Sequence, residues 1–363
     1  MNRSHPLILC AALILSACGG GSDNDSPPPP PAPPGPFAQV DARAAAAFQA
    51  QGISGMGLAI YDAQGVKRFE RMYGTFAPDQ RVAIASASKM VAGLVMFRLI
   101  DQGFLTLDST TGAVLGWTGP QGAITLRQLL SFTSGLEREA GCTLLGGITL
   151  ADCVAIIGNQ PLVATPGTRF DYGSTHLATA ARMAEVVTGQ TWFDLFASQL
   201  KTPLGLSSPD LVFYTAPRQA SGTTNPLIAG GLRATMNEYA TMLALEFNRG
   251  VHQGNALIGT ALFTTQASEP YPNAVIGNSP FTATAFNFHY GLASWLECPP
   301  PAMNCAVISS PGAFGFTPWI DRDGGYYAVL GMEVSESQSG VVNFAVQLEQ
   351  ELKPLIRVAL GNP

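Results

Sequence analysis

Hydrophobic positions change period along the chain. Val40, Ala44, Ala47 and Phe48 share one face of an alanine-rich stretch, which predicts a helix over 39–51. Residues 57–61 are then a short apolar run, Asp62-Ala63-Gln64-Gly65 has turn chemistry, and 66–73 returns with mixed alternation, so this segment predicts a β-hairpin. Near the other end, 290–296, 306–309, 316–321 and 326–334 read as strands separated by Pro, Gly or Asp turns. A closing helix is predicted over 341–360, kinked or interrupted by Pro354. Between these β-rich ends the spacing is helical, with helices predicted over 90–102, 125–130, 150–159, 177–188, 192–200 and 236–248.

Strands at both ends must share one sheet if the helical middle is an insertion. The expected fold class is therefore α+β, an α/β sandwich in which an antiparallel sheet is flanked by N- and C-terminal helices and joined to a mostly helical inserted domain. The sheet subdomain would take about 37–85 and 286–363, and the helical one about 86–285, with a cleft between them where a site belongs. A chain of 363 residues, 47% of them hydrophobic, can bury a core of that size.

The start of the chain falls outside this pattern. In residues 1–18, Arg3 supplies positive charge, 7–15 is apolar but too short to span a bilayer, and Leu15-Ser16-Ala17-Cys18 resembles the bacterial lipobox. That resemblance implies a cleaved lipoprotein signal, with Cys18 as the lipid-bearing N-terminus and the membrane as a partner through this anchor. Gly19 follows the cysteine where an aspartate would suggest inner-membrane retention, so the expected location is the periplasmic side of a Gram-negative outer membrane. Residues 19–36 are rich in Gly and Pro and read as an extended tether, leaving 37–363 as the body.

The net charge of -6 is modest, and no run of Lys or Arg forms a stripe suited to phosphates, so no nucleic-acid partner is expected. Nor does any His, Cys or carboxylate cluster suggest a metal, and no cofactor is implied. Four cysteines remain in the body, and an exported chain would oxidise them. Of the three possible pairings, Cys142 with Cys153 and Cys298 with Cys305 close short local loops, and these are the expected disulfides.

Candidate chemistry begins at Ser86-Ala87-Ser88-Lys89, which leads into an apolar helix. Ser86 would sit at the helix N-terminus, where free N–H groups favour developing negative charge. Lys89 lies one turn on and would reach the Ser86 hydroxyl. A lysine withdrawn from water loses its charge more readily and becomes a usable base. Alone, the spacing is common enough to arise by chance. Tyr172 follows a Pro166-Gly167 turn and precedes a predicted helix; a phenol beside an ammonium could lose its proton more easily and relay it. At the end of a predicted edge strand, Ser309-Ser310-Pro311-Gly312-Ala313 could set the Ala313 amide opposite that of Ser86 to hold an oxyanion.

In order and spacing these three elements resemble the penicillin-recognising serine hydrolases, in the branch of class C β-lactamases, D,D-peptidases and related esterases. Leu129-Leu130-Ser131-Phe132-Thr133-Ser134-Gly135-Leu136, Pro203-Leu204-Gly205-Leu206 and Ala229-Gly230-Gly231-Leu232-Arg233-Ala234-Thr235 extend the likeness over about 40–360. The resemblance implies that Ser86 is acylated, Lys89 is its base partner and Tyr172 the proton relay, acting on a small ester or amide. Two positions depart from the pattern. Ser174 stands where the family usually has asparagine, and Ser310 where it usually has lysine or histidine. Without a cation at 310, binding of a β-lactam or peptide carboxylate should weaken, which favours an esterase-like or unusual amide substrate.

Rival chemistry finds less support. No G-x-S-x-G elbow occurs, and His176 and His289 read as structural residues at a helix start and on a strand. The aromatic set Phe281, Phe286, Phe288, Trp295, Phe314, Phe316 and Trp319 reads as sheet core or as the lining of an acyl pocket. A second reading keeps the fold as a binding module for cell-wall or protein partners, with impaired catalysis. Oligomeric state is not specified by the sequence.

Overall fold

The computed structural model describes residues 35–215, 223–282, 284–334 and 340–362. The signal segment with Cys18, and nearly all of the tether, lie outside the described residues.

Seven strands form one antiparallel sheet: β1 (Gly55–Asp62), β2 (Lys67–Gly74), β3 (His289–Tyr290), β4 (Trp295–Leu296), β5 (Val307–Ser309), β6 (Thr317–Asp321) and β7 (Tyr326–Gly331). Their spatial order is β2-β1-β7-β6-β5-β4-β3. The first and last strands of this sheet in sequence are thus neighbours, in a register that sets Leu58 opposite Leu330 and Ala59 opposite Val329. The α+β class expected from the sequence is the one observed.

Alternation along the central strands serves two cores. Met56, Leu58, Ile60, Tyr326, Ala328 and Leu330 pack with Val40, Ala44 and Ala47 of α1 (Ala38–Gln51) and with Ala345, Leu348, Leu352 and Ile356 of the C-terminal helix. From the same strands Ala59, Tyr61, Tyr327 and Val329 join a larger core with the helical region, including α2 (Ser88–Asp101), α3 (Thr175–Thr188) and α4 (Met236–Phe247). The C-terminal helix, α5 (Val341–Leu360), runs through Pro354 without interruption. Pro354 lies on the exposed side, where water can serve the carbonyl that its missing N–H leaves free.

The middle departs from expectation in several places. The strand predicted over 290–296 is a tight hairpin of β3 and β4, pairing Tyr290 with Trp295. Gly291 lies so close to the Gln266 carbonyl that a Cβ would stand 1.9 Å from its oxygen, and Ala293 adopts φ 57°. Backbone packing, which apolar periodicity does not report, makes the turn. The strand Arg169–Asp171, which pairs in parallel with Val275–Asn278, has no counterpart in the sequence pattern, nor do the short helices Thr111–Leu115 and Thr260–Gln266. Capping explains why other short helices start where they do: Thr125, Thr149 and Thr235 each close a capping box with Gln128, Asp152 and Glu238.

Cys142–Cys153 is bonded at 2.06 Å, and Cys298–Cys305 is bonded as well. A buried carboxylate also ties α5 to the sheet. Asp321 of β6 is fully buried and receives Arg357 Nε and Nη2 at 2.7 and 2.9 Å. Removing one member of such a pair strands the other charge. Arg357→Ala should therefore destabilise the body by about 3 kcal/mol, read as a lowered urea midpoint at constant slope.

Candidate active site

Ser86 sits in a single 3-10 turn, Ala85–Ala87, that runs directly into α2. The turn is held from every side. Val82–Ala83 pairs antiparallel with Arg233–Ala234, and the Ile84 amide donates to the Leu232 carbonyl at 3.2 Å. Ser88 Oγ donates to the Ala85 carbonyl at 2.6 Å and accepts the Leu232 amide at 3.1 Å. Tyr239 of α4 donates its hydroxyl to the Ala87 carbonyl at 2.8 Å. Such over-determination keeps Ala85 at φ 45°, a left-handed value that a residue with a Cβ adopts only under constraint.

Lys89 completes the pair. Its Nζ donates to Ser86 Oγ at 3.0 Å and to the Ala229 carbonyl at 2.8 Å, and it lies 4.6 Å from the centre of the Tyr172 ring. Among the described residues no carboxylate touches it. Burial therefore pushes the ammonium down to about 7, with the charge of Glu139 opposing in part. Ala229 begins the Gly-Gly segment whose role the sequence leaves open. Gly231 allows the close approach, because a Cβ there would stand 2.2 Å from the Tyr214 carbonyl oxygen.

Tyr172 follows the short strand Arg169–Asp171 and precedes α3, with its amide donating to the Asn278 carbonyl at 2.9 Å. Its hydroxyl faces Ser86 and the Trp295 side chain, both of which favour its ionised form. The sequence suggests a phenol acidified by its ammonium neighbour. The structure corrects this: burial drives the Tyr172 pKa well up, and Ser86 and Trp295 only partly oppose it. Near neutral pH Tyr172 keeps its proton, and Lys89 is the group that can be without one.

Ser310 stands near the start of the third element, just beyond β5. Its hydroxyl donates to the Ser86 carbonyl at 3.0 Å, so the side chain is a strut for the nucleophile turn. Gly312 packs on the same turn, where a Cβ would stand 2.1 Å from the Ile84 carbonyl oxygen. Ala313, next in line, is exposed. Ser174 is half-buried at the start of α3 and makes no side-chain cap; its amide donates to the Arg138 carbonyl at 2.9 Å.

Both histidines are structural in position. His176 is wholly buried, with Nε2 at 2.8 Å from the Asp171 carbonyl and Nδ1 at 2.8 Å from Ser134 Oγ, and burial pushes it down to about 4. His289 pairs with Glu269 at 2.8 Å. The aromatic set divides. Phe281, Phe286, Phe288 and Trp295 stack together beside Tyr172, whereas Phe316 packs on Tyr239 and Trp319 turns to the α1/α5 core. Phe314 packs with Ala83 and Ala85 near the nucleophile turn. The Ala229 carbonyl and the Trp295 ring also belong to the site. No sequence signal marks the first, and Trp295 enters the sequence pattern only as one of a set of aromatic rings. Among the described residues no group of His, Cys, Asp and Glu is arranged to hold a metal.

The profile of the family described as Beta-lactamase matches residues 40–348. The chain belongs to the beta-lactamase family. It is 34% identical to penicillin-binding protein 4 of Amycolatopsis lactamdurans over 127 residues, 33% of either chain. To the D-alanyl-D-alanine-carboxypeptidase/endopeptidase AmpH of Escherichia coli K12 it is 29% identical over 229 residues, 54% of this chain and 58% of that one. The chain thus spans between a third and three fifths of these relatives. Among solved structures, a proposed beta-lactamase from Bacteroides dorei DSM 17855 superposes with TM-score 0.73 at 29% identity, covering 86% of this chain and 98% of its own. EstCE1, a hydrolase with promiscuous acyltransferase activity, shares the fold at TM-score 0.66 and 19% identity, covering 90% and 98%. This is a family of serine hydrolases.

The electrostatics of the pair make a kinetic prediction. Lys89 can accept the Ser86 proton only when neutral, so below its pKa the reactive form is lost in proportion to acidity. The rate of Ser86 labelling by a fluorophosphonate should fall about tenfold per pH unit below about 7 and level off above about 8, and Lys89→Ala should remove the dependence with most of the rate.

Proposed function

We propose that the protein is an exported, lipid-anchored serine hydrolase that forms an acyl-enzyme on Ser86 and acts on small esters or amides, with an esterase-like preference. The observation that carries this reading is the 3.0 Å contact between Ser86 Oγ and a Lys89 amine that burial holds near neutrality. Neutral Lys89 takes the hydroxyl proton as Ser86 Oγ bonds to the substrate carbonyl carbon. The resulting oxyanion is held by the amides of Ser86 and Ala313. Collapse breaks the bond to the leaving group, which receives a proton from Lys89 by way of Tyr172, whose ring lies 4.6 Å from the Lys89 amine. Water then adds to the acyl carbonyl by the same proton route in reverse and frees Ser86.

Ester substrates are favoured by what position 310 offers. Ser310 is neutral and its hydroxyl is engaged by the Ser86 carbonyl, so no cation stands there to hold a substrate carboxylate. The relative AmpH makes D-alanyl peptides the natural competitor to test. The lipobox at Cys18 and the Pro-rich tether support a site held off the outer membrane on its periplasmic side.

A panel of short-chain nitrophenyl esters, a chromogenic cephalosporin and D-alanyl peptides tests the assignment. Ester turnover should exceed cephalosporin and peptide turnover by at least about tenfold, and Ser86→Ala should lower it by about 10³-fold or more. Cephalosporin or peptide turnover well above ester turnover would reject the esterase preference. If wild-type protein turned over nothing and gained no mass from a fluorophosphonate or a penicillin, the chain would be a binding module.

A further inference from the structure

The ring of Tyr172 is packed by other rings. The Trp295 indole stacks on it, with centres 5.0 Å apart and planes 28° from parallel, while Phe132 and Tyr290 meet it edge-on at 5.4 and 5.8 Å. Lys89 Nζ lies over the same ring, 4.6 Å from its centre. The amine also touches Ser86 Oγ at 3.0 Å and the Ala229 carbonyl at 2.8 Å, so the ring face is its third partner.

Trp295 has little room to give way. It is buried, and Tyr290 and Phe281 lie edge-on to it at 4.8 Å each. In the sheet it pairs with Tyr290 of β3 on one side and Ser309 of β5 on the other. The turn before it is pinned: the Ala293 amide donates to the Leu130 carbonyl at 2.8 Å, and Gln266 Nε2 donates to Ser294 Oγ at 3.0 Å. The backbone of Tyr172 is held by a different segment, through the Asn278 carbonyl. A side chain from the sheet therefore backs the phenol ring where it meets the amine.

Charge gives this placement a chemical consequence. As Ser86 Oγ bonds to the substrate carbonyl carbon, its proton passes to Lys89 Nζ, and a neutral amine becomes an ammonium in a buried place. An aromatic face attracts a cation more strongly once the cation is desolvated. Resting on the assignment of Ser86 and Lys89 as nucleophile and base, we infer that Trp295 is a positioning residue: it holds the π-face of Tyr172 against Lys89, so that the ring stabilises the positive charge formed when Lys89 takes the Ser86 proton. Tyr172 then has two separable roles, its hydroxyl passing a proton and its ring bearing a charge.

The test follows the pH dependence of Ser86 labelling by a fluorophosphonate, together with the titration of the Lys89 ε-carbon by NMR. Trp295→Leu should move both inflections down by about one pH unit, because an ammonium without its π partner gives up its proton more readily. Trp295→Phe, which keeps a ring to stack on Tyr172, should bring them back toward the wild-type value. Tyr172→Leu should shift the Lys89 titration down as Trp295→Leu does, whereas Tyr172→Phe should leave it in place. Should Trp295→Leu fail to fold, Trp295→Met is read in the same way. A lowered urea midpoint with the inflection unmoved, or an inflection raised by water reaching the amine, would make Trp295 a packing residue only and overturn its role. If wild-type Ser86 did not label at all, the hydrolase assignment itself would fall, and this inference with it.

Discussion

Everything at the candidate site depends on keeping one amine out of water without giving it a counter-ion. Lys89 is buried, yet its partners are a hydroxyl, a carbonyl and the face of an aromatic ring. Each of these satisfies a donor, and none fixes the positive charge as a carboxylate would. The comparison with Lys353 is instructive. That lysine is also buried, but Glu297 and Glu349 flank it, and its pKa rises instead of falling. The same side chain is made inert in one place and basic in the other by what stands beside it.

Much of the fold exists to hold those neutral partners in place. The Ala229 carbonyl reaches Lys89 because the chain from 229 to 234 runs beside the nucleophile turn and pairs with it at Val82–Ala83. Tyr172 is placed from below by the parallel pairing of 169–171 with 275–278 and packed from the side by Trp295 of β4. Ser310 joins the third element to the first by donating to the Ser86 carbonyl, so the sheet and the helical region meet at Ser86. The strained φ of Ala85 is stable only because contacts from both regions converge on it.

How much of this the sequence discloses depends on the range of the signal. Continuous apolar runs locate strands such as β1 that are buried on both faces, and helical spacing locates α1 and α5, which bury one. Ser86 and Lys89 can be paired because a helix converts a spacing of three into a shared face. Contacts made by backbone atoms are invisible. Nothing in the residue types at 229 or 291 says which carbonyl will lie against them, so the hairpin at 290–296 reads as one strand and the acceptor for Lys89 goes unseen. The direction of the Tyr172 shift is misjudged for a related reason: the motif order implies a nearby ammonium, but the larger effect of burial cannot be read from it. Ser310 is legible as a departure, but its use as a strut emerges only from geometry.

A site that combines a lysine whose pKa burial lowers with a tyrosine that burial keeps protonated is tuned by desolvation more than by charge pairing. Reactivity at Ser86 accordingly turns on one proton. The chain has only four lysines, Lys67, Lys89, Lys201 and Lys353, so their ε-carbons can be followed individually by NMR in protein labelled at lysine. One resonance should titrate near 7 and be absent from Lys89→Met, while that of Lys353 stays charged to higher pH. If the Lys89 resonance instead titrated above about 10, as a solvated lysine does, Ser86 would have no base beside it at neutral pH, and Lys89 could not be the acceptor of its proton.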